Sequence, residues 1–99
     1  MAIYDVYEIP GGNSYCLDVQ TDILSDLNTR MVVPLLPVAD APKPARRLNP
    51  IFEIRGERHM MATQYMASVP VTVLKLPVAN LSDRLDEITN ALDMIFHGF

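Results

Sequence analysis

The sequence predicts a mainly β fold: a small antiparallel barrel or pair of packed sheets, closed by one C-terminal α-helix. Two observations carry this. Through residue 80, short runs of β-branched and aromatic side chains are broken by proline and glycine clusters. From Leu81 the period changes, and Leu81, Leu85, Ile88, Leu92, Ile95 and Phe99 recur at spacings of four and three, one stripe of a helix.

The elements follow in order. Ile3 to Ile9 reads as a strand, Pro10-Gly11-Gly12-Asn13-Ser14 as a turn, and Tyr15 to Val19 as the returning strand of a hairpin. Gln20 to Thr29 is polar and reads as a loop, yet it holds Ile23, Leu24 and Leu27, and adjacent apolar residues in a loop require a reason. Met31 to Val38 is a continuous apolar run interrupted by Pro34, which cannot donate to a ladder, so the strand is expected to be bulged or to turn that position to an edge. Ala39 to Pro50 has no apolar period and three prolines, and reads as a loop with at most a short helical turn. Ile51 to Ile54 and Met60 to Met66 flank a hairpin turn, Arg55-Gly56-Glu57-Arg58, and Val69 to Leu76 alternates around Pro70 as a last strand. Ser82 or Asn80 can cap the helix; Asp83, Asp86 and Glu87 lie near its positive end, and Gly98 supplies the stop. Phe96 and His97 lie off the centre of the stripe, so the tail is expected to be either docked or offered to a partner.

Ninety-nine residues are expected to make one domain, 1–99, and an apolar fraction of 49% leaves surface for a partner, so a homodimer is expected. No run reaches the eighteen apolar residues of a membrane span, and the first residues lack a signal peptide's basic and apolar blocks, which points to the cytoplasm. Cys16 is the sole cysteine and reads as a small buried hydrophobe, with neither disulfide nor thiolate zinc site to join. A net charge of −4 argues against nonspecific nucleic-acid binding; Lys43, Arg46, Arg47, Arg55 and Arg58 form one basic stretch, read as a solvated loop region.

Catalytic patterns are missing from the sequence. There is no phosphate-cradling glycine loop, no HExxH, no GxSxG and no Cys/His set at metal spacing, so no metal, cofactor or enzymatic activity is expected. His59 follows a charged turn and reads as an exposed residue, and Asp18 and Asp22 read as turn and capping residues.

Four stretches, Leu17-Asp18-Val19-Gln20-Thr21-Asp22-Ile23-Leu24, Arg30-Met31-Val32-Val33-Pro34-Leu35, Met66-Ala67-Ser68-Val69-Pro70-Val71-Thr72-Val73, and Ile88-Thr89-Asn90-Ala91-Leu92 through Phe96-His97-Gly98-Phe99, resemble the CcdB toxins of bacterial toxin–antitoxin modules in order and spacing. The resemblance implies a homodimer of SH3-like barrels that binds the A subunit of DNA gyrase while it is joined to cleaved DNA and holds it there. It further implies neutralisation by a cognate antitoxin that folds on binding, and repression of the operon, with operator DNA reached only through the antitoxin complex. The family's contact set falls on Ile23, Leu24, Asp93, His97, Gly98 and Phe99. At 93, 97 and 99 this chain departs from the asparagine, tryptophan and isoleucine of the best known members. Val69, Val71, Ile95 and Phe96 are read as dimer-packing residues, and Arg46, Arg47, Arg55 and Arg58 as a basic surface for an acidic antitoxin segment. Two other readings stay open: an endoribonuclease toxin of the MazF and Kid type, for which Arg30, Arg58 and His59 are the available groups, and a family member that has lost toxicity.

Overall fold

A computed structural model describes residues 2–12 and 14–98. Its strands are β1 (Asp5–Glu8), β2 (Tyr15–Asp18), β3 (Thr29–Pro37), β4 (Ile51–Ile54), β5 (Glu57–Met61), β6 (Ala67–Pro70) and β7 (Ala79–Asn80), followed by helix α1 (Leu85–His97). All the strand pairs are antiparallel, in the order β4-β5-β3-β2-β1-β7, with β6 also paired to β3. The sheet curls into a nearly closed barrel with α1 packed on its core, the mainly β architecture expected.

β3 organises the sheet. One of its edges pairs with β2 from Val32 to Leu35, while the other pairs first with β6, from Thr29 to Val32, and then with β5, from Leu35 to Pro37. Pro34 sits at that changeover. Its carbonyl accepts from Ala62 N–H at 2.9 Å, and its missing donor falls where one neighbour has ended and the next has not begun, so no ladder bond is lost. The accommodation is an internal handover between strands in place of a bulge.

Alternation sorts the side chains into two layers. Val6, Leu17, Val33 and Leu35 point inward with Phe52, Ile54 and Met61 and meet Leu81, Ile88 and Ala91 from the helical segment. Tyr7, Cys16 and Val32 point to the other face, where Leu74 covers them. The hairpin β4–β5 turns on two residues, Arg55 (φ 52°) and Gly56 (φ 80°), because a tight hairpin needs positive φ at both positions and glycine reaches it without strain.

Several expectations change. The turn is confined to residues 55 and 56, and Glu57 and Arg58 already belong to β5. The strand expected over residues 69–76 is only β6; Val71–Val73 winds into a 3₁₀ turn after Pro70, with Val71 N–H held by Asn28 O at 2.9 Å. In α1 the buried centre is Ile88 and Ala91, while Leu85 and Ile95 lie at the exposed margins, because the small Ala91 lets the helix approach the sheet along a line rotated from the large-residue stripe. Neither Ser82 nor Asn80 caps α1, a correction: a 3₁₀ turn, Ser82–Arg84, precedes it, Arg84 is the N-cap without a side-chain bond, and Asn80 Oδ1 accepts from Ser82 N–H at 2.9 Å ahead of that turn. Gly98 ends α1 in the left-handed region (φ 77°), its N–H shared between Asp93 O and Met94 O. His59 is buried, a correction: β5 is flanked by β4 and β3, and the ring meets Tyr15 edge-on at 5.0 Å while Nδ1 lies 2.9 Å from Glu57 O.

Beneath the β2–β3 pair lies a buried ion pair. Arg30, 1% exposed, donates from Nε to Asp18 Oδ2 at 2.9 Å, and its Nη2 lies 2.6 Å from the same oxygen. Burial pushes the Asp18 carboxyl up and the Arg30 contact pulls it back only in part; burial opposes the Arg30 charge, but Asp18 and Asp22 outweigh it and hold the guanidinium charged. Arg30→Met is expected to lower the unfolding free energy by about 3–5 kcal/mol, because it strands a buried carboxylate. Urea unfolding measures this, and adding Asp18→Asn is expected to recover part of the loss; a double variant no more stable than the single one would show that the stranded charge is not the cause.

Candidate functional site

Large apolar side chains are exposed at several places, Leu76 and Tyr65 among them, and two of the segments that carry them hold contact residues expected from the sequence. The first is the loop 21–28, where a 3₁₀ turn, Asp22–Leu24, is capped by Thr21 and carries Ile23, 89% exposed, beside Leu24 and Leu27. The second is the last turn of α1, where Phe96 is 65% exposed, Ile95 is exposed at its margin, and Asp93, His97 and Gly98 are exposed beside them. His97 Nδ1 lies 3.9 Å from Asp93 Oδ1, one helical turn apart, so the two can pair when the imidazole is protonated. Phe99 lies outside the described residues.

β6 borders the first of these segments. At its Ala67 end it follows the turn Thr63–Tyr65, against which α1 packs and from which Tyr65 projects; at its Pro70 end the chain is bonded to Asn28 of the loop. Its only partner among the described residues is β3, which leaves its outer edge, with Ala67, Ser68 and Pro70 exposed, unpaired. Val69 and Val71 are half-buried, and Val69 packs on the second apolar layer. An open apolar cavity of about 190 Å³, lined by Ile9, Cys16, Val32, Val69 and Leu74, lies over that layer.

The basic side chains lie elsewhere, Arg46 and Arg47 in the loop before β4 and Arg55 at the opposite, turn end of the β4–β5 hairpin. Arg46, Arg47, Arg55 and Arg58 are all exposed, and Arg55 Nη1 pairs with Glu8 Oε1 at 2.7 Å. The loop bearing Arg46 and Arg47 is tied down by Asn49, which accepts from Ala45 N–H and donates to Met61 O and Gln64 Oε1. The nuclease groups do not converge. Arg30 is buried against Asp18, His59 is buried, and they lie seven residues apart along β3, since His59 pairs with Pro37, a span of about 23 Å. Asp18 and Asp22 are ligands of the Arg30 guanidinium as well as turn residues, a role sequence spacing alone did not suggest.

The family model of the CcdB protein matches residues 3–98. The chain belongs to the CcdB family. At the family level this is a gyrase-targeting toxin of a toxin–antitoxin module, with gyrase and an antitoxin as partners. The family match spans both of these segments and β6. Among the described residues no helix is long and apolar enough to cross a membrane.

Cys16 lines the apolar cavity as a protonated thiol: burial, with the nearby Asp18 charge, pushes its pKa up to about 11. At pH 8.5 iodoacetamide is expected to alkylate the folded protein about a hundredfold more slowly than the urea-unfolded chain, because the thiolate is the nucleophile. Mass spectrometry of timed aliquots measures it, and equal rates would place the thiol in open solvent.

Proposed function

We propose that this chain acts as a homodimeric gyrase poison, binding the A subunit while it is covalently joined to cleaved DNA. The observation that supports this reading most is the exposure of Ile23, Leu24, His97 and Gly98, because an adjacent apolar pair displayed on a surface loop serves association. The contact set is Ile23, Leu24, Asp93, His97, Gly98 and Phe99. Imidazole stacks over less area than tryptophan, and Gly98, without a side chain, lets the target backbone come close.

Dimerisation is assigned to the face around β6. Val69, Val71, Ile95 and Phe96 would pack against a second copy, and the open strand edge supplies N–H and C=O groups for it. A dimer presents two tails and two loops to a two-fold target, so the second engagement is intramolecular. The cognate antitoxin would approach with an acidic, initially disordered segment that meets Arg46, Arg47, Arg55 and Arg58, and the complex would repress its own operon. With a net charge of −4, the toxin leaves operator DNA to the antitoxin. The site of action is the cytoplasm, where gyrase and DNA are.

Purified protein added to gyrase and supercoiled plasmid with ATP is expected to accumulate protein-linked linear DNA, and a form lacking residues 98 and 99 to lose this by at least about tenfold. Equal cleavage from the shortened form would remove the tail from the mechanism, and no cleavage from either would remove gyrase poisoning.

A further inference from the structure

Burial does not hold the loop 21–28 in place, since all eight of its residues are exposed. Its internal bonds, Leu24 N–H to Thr21 O, Ser25 N–H to Asp22 O and Leu27 N–H to Leu24 O, each at 3.1 Å, shape its turns without fastening them to the sheet. Main chain fastens only its last residue, Asn28, whose O accepts from Val71 N–H at 2.9 Å; the rest of the fastening comes from polar groups beneath. Asp22 Oδ1 accepts from Ile3 N–H at 3.0 Å and from Arg30 Nη2 at 3.3 Å, which fixes the front of the loop. Gln20 fixes the middle and the end. Its Nε2 donates to Leu24 O and to Thr29 O, both at 3.3 Å, while Oε1 accepts from Met31 N–H at 3.1 Å.

One side-chain amide therefore spans the loop from Leu24 to its exit into β3. Its own backbone is clamped as well: Gln20 N–H donates to Asp18 Oδ1 and Gln20 O accepts from Arg30 Nη2, each at 3.0 Å. The residue type matters, because two donors and an acceptor on one planar group meet two carbonyls and one N–H here. Glutamate would lack the donors, and asparagine would fall one methylene short. Gln20 is only 8% exposed, so it offers almost nothing to a partner directly.

We propose that Gln20 is a positioning residue of the target-binding loop, its side-chain amide holding Ile23 and Leu24 in the pose in which they meet gyrase. This rests on the reading of the loop as a gyrase contact. The loop then meets its target already ordered, and loss of the clamp lowers the fraction of molecules competent to bind, with apparent affinity falling by that fraction.

The test compares Gln20→Met, Gln20→Asn and Ile23→Asp with the unaltered protein, in affinity for the gyrase A subunit, thermal midpoint and backbone NMR order parameters. Gln20→Met is expected to bind about tenfold more weakly. Order parameters over residues 21–28 are expected to fall below about 0.6 while the strands stay near 0.85, a local change that general destabilisation would not produce. Gln20→Asn is expected to show the same pattern and decides the matter if Gln20→Met does not fold. Undiminished affinity in the Gln20 variants with affinity lost in Ile23→Asp would overturn the positioning role alone. Undiminished affinity in all three would overturn the loop as a contact, and with it the positioning role. Order lost evenly across the sheet would make Gln20 a merely structural residue and overturn the proposal.

Discussion

The buried pair of Arg30 and Asp18 is the constraint around which this fold is arranged. Two charges withdrawn from water cost several kcal/mol each, and attraction between them offsets that only when the remaining donors and acceptors are also met. Here main chain and Asp22 meet those of Asp18 and of Arg30 Nη2, while Arg30 Nη1 is buried with no hydrogen-bond partner among the described residues. Asp18 accepts from Gln20 N–H, and Arg30 donates to Gln20 O and reaches Asp22, which in turn takes Ile3 N–H. The pair thus ties β2, β3, the segment before β1 and the root of the 21–28 loop to one another. An apolar pair of the same volume could fill the space, but it would not dictate where each of those backbones must lie.

This network also explains which parts of the molecule were legible in the sequence. Features that depend on a residue's own chemistry or on near neighbours were readable: the helix and its Gly98 stop, the hairpin turn at Gly56, the loop through residues 39–50, the buried Cys16. Features that depend on pairing across strands were not. Asp18 and Arg30 are twelve positions apart, and nothing in either local context says that they face one another. His59 looked exposed because Glu57 and Arg58 precede it, yet a strand flanked on both sides buries whatever its register directs inward. The helix stripe held at Leu81, Ile88 and Leu92 and failed at Leu85 and Ile95. Hydrophobic periodicity weighs large side chains, whereas close approach to the sheet selects the small Ala91.

The candidate site was legible in a different way, as residues that fit no structural need. Ile23 and Leu24 were anomalous in a polar loop, and Phe96 and His97 were anomalous beside the helical stripe. The structure leaves the described members of both groups exposed, so neither anomaly is resolved by the chain's own core. Resemblance to a family named a target for Ile23, Leu24 and His97, but neither spacing nor composition could have shown that β6 borders the loop with its outer edge unpaired among the described residues.

Exposed apolar side chains on mobile segments bind poorly, because ordering the segment subtracts from every contact it makes. The two segments here escape that cost by different means. The last turn of α1 is rigid through helix geometry, with Gly98 closing it by hydrogen bonds to Asp93 O and Met94 O. The loop has only the single 3₁₀ turn Asp22–Leu24 and is held from below, by Asp22 and Gln20, on the charge network that also orders the sheet. The ion pair therefore also reaches the exposed loop proposed to meet gyrase: Arg30 and Asp18 hold the backbone of Gln20, whose amide holds the carbonyl of Leu24. On the proposed reading of the loop, fold and recognition meet at that single side chain.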